Sequence, residues 1–200
     1  KAFNLIMKIN ILGGGIAGLA SAIFLSKQGH EVTIVERNDY INELGAGIQI
    51  TPNAIRVLDA LGIRNDFINL AEQSTSLSIR RAENSALLQK VSMHRLVKDK
   101  KVGFYHLHRY KLLNLLKDNA IKNKVKIISN QYINKIIITK DNVRIFSNDI
   151  EYDSDILIGA DGLNSISRKK LNEDYMPKYS GFCAFRTITT LDESVDKFLH

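Results

Sequence analysis

Three glycines between an apolar strand and an apolar helix constrain this chain more than any other feature: Gly13-x-Gly15-x-x-Gly18. Lys8 to Leu12 is a short apolar run that ends in them. Ile16 to Gln28 follows, with Ile16, Leu19, Ala20, Ile23, Phe24 and Leu25 at helical spacing. Gly29 stops the helix as a C-cap residue does. Glu31 to Glu36 carries Val32, Ile34 and Val35, β-branched enough for a buried parallel strand. Strand, glycine turn, helix and strand make one βαβ unit. In such a unit Gly13 allows the tight turn, Gly15 the close approach of a pyrophosphate, and Gly18 the packing of helix on strand. The helix aims unpaired N–H groups and its positive dipole end at the phosphates. Ala17 lies within this motif, between Gly15 and Gly18, and is assigned to the same site. Glu36, ending the second strand, can accept hydrogen bonds from ribose hydroxyls. Dinucleotide binding follows, but FAD and NAD share the fingerprint, so the choice stays open here.

Downstream, a glycine-bearing loop is expected over Asn42 to Ile50. Thr51 then caps a helix with Pro52 at its first position and Ile55, Val57, Leu58 and Leu61 along it. Leu77 to Met93 is strand-like and broken at Glu83-Asn84-Ser85, the pattern of an antiparallel hairpin. A plain doubly wound sheet has no place for it, so strands of a second, smaller sheet are expected at about 74–107. A helix is expected over His108 to Ala120, and strands over Lys124–Ser129, Tyr132–Thr139 and Val143–Phe146. The last two join through Asp141-Asn142. Asp155 to Gly159 reads as a short buried strand running into Ala160-Asp161-Gly162 and a polar helix start. Gly181 to Thr189 is strand-like again, and 178–200 is expected to rejoin the second sheet. The fold class is therefore α/β: a Rossmann-like dinucleotide-binding domain interrupted by a partly antiparallel substrate sheet.

Composition narrows the function classes. Basic residues number 28 against 21 acidic ones, a formal charge of +7. Short lysine clusters carry the excess, such as Lys98, Lys100 and Lys101. Without a zinc spacing or an RNA-binding signature they read as solvated surface, and no nucleic-acid partner is expected. Cys183 is the single cysteine, which excludes an intrachain disulfide and a zinc site built on cysteines. Its neighbours Phe182, Ala184 and Phe185 suggest a buried, inert thiol. His106 and His108 would share one face of a strand, but no third ligand stands near, so no metal is expected. No apolar stretch reaches the roughly 20 residues that span a bilayer. Nor does the N-terminus read as a signal peptide, so a cytoplasmic location is expected.

Single residues add chemistry. Arg37, just past Glu36, offers a planar cation to adenine or a phosphate oxygen, or lies in solvent. Arg109 at a helix start opposes the helix dipole, which a nearby anion would explain. Asp161 follows an apolar strand, where an unpaired carboxylate is costly. A ligand hydroxyl or its own Asp-Gly turn can satisfy it.

Four segments together resemble one family. Gly45-Ala46-Gly47-Ile48-Gln49-Ile50-Thr51-Pro52-Asn53, followed by Leu61-Gly62, is similar to a stretch of salicylate hydroxylase-type enzymes. His108-Arg109 with Leu112-Leu113 resembles their histidine-arginine helix start. Gly159-Ala160-Asp161-Gly162-x-x-Ser165-x-x-Arg168 matches their second nucleotide motif. Gly181-Phe182-x-Ala184-Phe185-Arg186 resembles a later strand, with Phe185 where the family commonly has tryptophan. The chain thus resembles the N-terminal portion of the class A FAD-dependent aromatic monooxygenases.

The resemblance implies FAD as cofactor, NADH or NADPH as co-substrate, and molecular oxygen and a small phenolic or aromatic acid as the other reactants. It implies that Gly45 and Gly47 let backbone approach the flat isoalloxazine. Ile133 would offer backbone bonds to adenine or simply hold a core strand position, Arg109 would meet the pyrophosphate, and Asp161 the ribityl or pyrophosphate region. It also implies substrate-sheet strands and a further FAD motif, glycine-aspartate followed by alanine and histidine, which this sequence lacks. No catalytic residue is assigned. A complementary C-terminal polypeptide or a homodimer is the partner expected. Three readings stay open: a piece of a working monooxygenase, a truncated remnant that binds FAD without catalysis, and another FAD-dependent oxidoreductase sharing this domain.

Overall fold

The computed structural model describes residues 5–39, 46–97, 102–148, 150–172 and 176–184. Its centre is a four-stranded parallel sheet in the order β12-β1-β2-β8, from Ile156–Gly159, Lys8–Leu12, Glu31–Val35 and Lys126–Ile128. Alternation along a strand sends neighbouring side chains to opposite faces. Ile9, Ile11, Val32 and Ile34 therefore enter one core, while Leu12 and Val35 enter another. Helices α1 (Ile16–Lys27) and α4 (Arg109–Lys122) cover the first face through Leu19, Ala22, Ile23, Leu112, Leu113 and Leu116. The other face meets an antiparallel sheet, β11-β10-β9, made of Ile150–Ser154, Val143–Ser147 and Lys135–Ile138. Ile133, Ile136 and Ile145 join Leu12 and Val35 there. Asn10 also points to this side, 2% exposed, and its amide reaches the Asp153 carbonyl at 3.4 Å. A buried polar side chain is tolerable because it is paired.

The βαβ unit stands as its pattern requires. Gly29 has φ +90°, and Gly29 N–H and His30 N–H donate to the carbonyls of Ser26 and Leu25, closing α1 in a Schellman turn. Thr51 is the N-cap of α2 (Pro52–Ala60), but its hydroxyl bonds the Asn53 side chain and caps no backbone N–H.

Several elements differ from expectation. The loop expected over Asn42–Ile50 contains strand β3, Gly47–Ile50, paired antiparallel with β7, Tyr105–His108. Two glycines hid a strand whose partner lies far away in sequence. β4, Glu72–Gln73, extends this sheet on the far side of β7. Short helix α3 (Arg64–Ile68) and strand β11 were not anticipated, and the strand expected over Tyr132–Thr139 is only β9. The hairpin is present as β5 (Ser76–Arg80) and β6 (Leu87–Ser92), a two-stranded sheet of its own. Its Leu77 and Leu88 are 51% and 57% exposed. Among the described residues the last helix is α5, Ile166–Leu171.

No strand forms over Gly181–Ala184, and the remainder of the expected Gly181–Thr189 strand lies outside the described residues. Cys183 is exposed rather than buried, because no described element covers this segment; its thiol sits 2.9 Å from the Tyr179 hydroxyl.

Candidate functional site

The C-terminal ends of β1, β2 and β12 converge on one cleft of about 540 Å³. Ligands of open parallel sheets bind at strand carboxyl ends, and this volume is ordinary for a small-molecule site. Its floor is the glycine turn. Gly13 has φ +98°, and a Cβ there would strike the Ala160 carbonyl and lie 3.1 Å from Asp161 Cα. Only glycine allows the β1 turn and the Asp161 turn to touch in this way. A Cβ on Gly18 would run into the Gly13 carbonyl and sit 3.4 Å from Ile11 Cγ2. A Cβ on Gly15 would meet nothing within 4 Å and would project into open space. Gly13 and Gly15 line the cleft; Gly18 lies buried behind it, and Ala17 is exposed on α1 away from the lining.

Helix α1 presents its N-terminus here with Gly15 as N-cap, no side-chain cap and no acidic residue in its first turn. Its positive end is thus left for a ligand anion. The Glu36 carboxylate accepts from Gly14 N–H at 2.6 Å and Asn38 N–H at 2.8 Å. It ties the glycine turn to the end of β2. Two acceptor oxygens with about four lone-pair sites leave room for further hydroxyl donors.

Asp161 lines the opposite wall, yet its carboxylate is taken up by its own turn. Ser165 Oγ and Ser167 Oγ donate to it at 2.7 and 2.6 Å, and the amides of Ile166 and Ser167 at 2.7 and 3.2 Å. Burial alone would push this carboxyl up, but the bonds from Ser167 and Ser165 outweigh it and hold it below the usual carboxylate range. Asp161 therefore stiffens the wall, and its backbone abuts Gly13.

Arg109 begins α4, lines the cleft, and its N–H donates to the Ala46 carbonyl at 3.0 Å. Arg37 and Ile133 line the end near β2. Gly47 lies across from His108 at the edge of β3, outside the cleft lining, with open space where its Cβ would be. Gly45 lies outside the described residues. The fold thus brings Gly13, Gly15, Glu36, Arg37, Arg109, Ile133 and Asp161 to one wall-and-floor arrangement, and leaves Ala17, Gly18 and Gly47 beside it.

The sequence reading missed Tyr132, Gln131, Asn164 and Lys169, all of which line the cleft. Tyr132 is 69% exposed next to Ile133, a large aromatic ring left at a rim. Lys169 follows Ile166 by one helical turn, a spacing readable only once α5 is placed. His106 and His108 have other duties: His106 Nδ1 lies 2.6 Å from Ser74 Oγ, and His108 Nδ1 accepts Tyr110 N–H. Among the described residues no group of three or more His, Cys, Asp or Glu side chains could hold a metal ion, and no helix is long and apolar enough to cross a membrane.

The chain is 30% identical over 194 residues to 3-hydroxybenzoate 6-hydroxylase of Klebsiella oxytoca, covering 96% of this chain and 49% of that protein. It is 28% identical over 182 residues to 3-amino-4-hydroxybenzoate 2-monooxygenase of Streptomyces cremeus, covering 90% and 45%. The chain thus spans about half the length of the curated relatives it matches. Among solved structures, CtdE in complex with FAD and a substrate superposes with a TM-score of 0.73 at 22% identity, over 82% of this chain and 40% of CtdE. That last likeness is one of fold. Residues 7–198 match the FAD binding domain family, so the glycine turn, the Glu36 strand end and the Asp161 turn stand in a chain that belongs to that family.

Proposed function

We infer that this chain is the cofactor-holding part of an FAD-dependent monooxygenase that hydroxylates a small phenolic or aromatic acid, with NADH or NADPH and oxygen as co-substrates. The observation that carries the reading is the single cleft shared by the Gly13–Gly15 turn, Glu36 and the Asp161 turn. The fit to FAD rests on three features of the chain: the open space at Gly15, the uncapped N-terminus of α1, and polar groups along both walls. When bound, FAD supplies the redox chemistry, passing electrons from the nicotinamide to oxygen. The protein holds and orients it. The α1 N-terminus and Arg109 take the pyrophosphate, Glu36 and Arg37 the adenosine, Ile133 the adenine edge through its backbone, and Gly47 gives room at the flavin end.

The names of the relatives support an aromatic substrate. We read the β5–β6 hairpin as strands of a substrate sheet, whose exposed Leu77 and Ile79, on one side by register, fit a face that other chain would cover. A complementary polypeptide or a second copy would supply that cover. The same exposed face favours a second reading, in which this length of chain binds FAD and hydroxylates nothing, since ring attack needs a pocket that excludes water.

The test is to purify the chain, titrate it with FAD, then add NADH or NADPH and a panel of hydroxybenzoates while following oxygen and product. FAD binding with oxygen consumed to peroxide alone is the expected outcome for this length of chain. A hydroxylated product would remove the second reading, and failure to bind FAD would remove both.

A further inference from the structure

We propose that Lys169 is a phosphate-binding residue of the cleft, placed by α5 to meet the pyrophosphate of the bound dinucleotide. This rests on the FAD reading above and adds to it a residue outside every motif of the sequence. Three cations line the cleft: Arg37, Arg109 and Lys169. Among the described residues the Lys169 ammonium makes no hydrogen bond or ion pair; only its backbone N–H is engaged, on the Ser165 carbonyl at 3.4 Å. Three carboxylates line the cleft, Glu36, Asp39 and Asp161, and none forms an ion pair with Lys169. Glu36 is directed at the amides of Gly14 and Asn38, and Asp161 at Ser165, Ile166 and Ser167.

Position supports the same role. Ile166 and Lys169 are three apart on α5, so they share a face, and both line the cleft, whereas Arg168 and Lys170 do not. The segment leading into α5 is packed on the glycine turn: Ala160 N–H donates to the Leu12 carbonyl at 2.8 Å, and the Ala160 carbonyl and Asp161 Cα crowd the space a Gly13 side chain would need. Ser165 Oγ accepts from Arg168 N–H at 2.9 Å and sets the start of the helix. The wall carrying Lys169 therefore cannot swing away from the floor carrying the α1 N-terminus. A lysine on a flexible stem complements such fixed amides, because it can follow a diphosphate as a point charge.

The experiment is an FAD titration of the purified chain and its K169A, K169E and K170A variants, by flavin fluorescence, at low and high salt. K169A should melt like the unmodified chain and bind FAD about tenfold more weakly at low salt, with the gap narrowing at high salt. K169E should lose more, and K170A, on the same helix but off the cleft, should bind like the unmodified chain. In competition against FAD, ADP should lose strength on K169A and adenosine should not. Equal affinity for K169A, an equal loss for K170A, or an equal loss for adenosine would overturn the assignment while leaving FAD binding in place. If the unmodified chain binds no FAD, the assignment falls together with the proposed function.

Discussion

Gly18→Ala separates packing from ligand binding within one short motif. The new methyl would meet the Gly13 carbonyl oxygen, with Gly13 C at 3.1 Å and Ile11 Cγ2 at 3.4 Å. None of these can yield cheaply. The Gly13 backbone is held by its N–H bond to the Val35 carbonyl at 2.9 Å, and Gly14 by Glu36 at 2.6 Å. Overpacking of this kind costs about 1–3 kcal/mol. Alanine returns up to about 1 kcal/mol of helix propensity, less in a first turn. A net loss near 2 kcal/mol is expected, a fall of about 4–8 °C in Tm for a chain of this size. Gly15→Ala is the matched control. Its φ of −72° suits alanine and nothing lies within 4 Å, so only the weaker N-cap of alanine counts, under about 1 kcal/mol. Thermal unfolding followed by circular dichroism without FAD measures both. If Gly18→Ala melts with the unmodified chain, or Gly15→Ala loses more than Gly18→Ala, the crowding argument is wrong.

Gly15→Val should leave folding intact but fill the space above the α1 N-terminus, and a purified variant that keeps its yellow colour would refute the phosphate assignment. Arg109→Ala should weaken FAD binding by about 1.5–3 kcal/mol if it makes a charge-assisted bond to phosphate, and an unchanged titration would return it to a structural role. Asp161→Ala removes the acceptor for two amides and two hydroxyls, and should destabilise the chain by about 2–3 kcal/mol in chemical denaturation. The Asp161 carboxyl is depressed in the folded chain, so its contribution is complete above the unfolded value of about 3.9 and is lost as pH falls through the lower folded value. The gap between unmodified chain and Asp161→Ala should therefore narrow in strong acid, and a gap that does not narrow as pH falls would contradict the sign.

Local pattern was enough for the βαβ unit. Its signals are short-range: β-branched alternation, helical spacing from Ile16 to Leu25, and glycines where backbone must turn or approach. Gly13, Gly15 and Glu36 could be placed on one site from the sequence because one strand-turn-helix-strand unit positions all three. Arg109 and Asp161 needed the resemblance, since nothing local joins residues so far apart. Tertiary structure alone decided the rest. β3 forms because Tyr105–His108 arrives beside it, and β11 because β10 offers an edge, neither of which a single segment encodes. Cys183 lies exposed although its neighbours are apolar, because burial depends on what covers a segment and not on its composition. Asp161 turns to its own serines and amides, and Lys169 faces the cleft, because α5 starts at one residue and not the next; a helix register rotates each side chain by about 100° per residue, and only the assembled wall sets it.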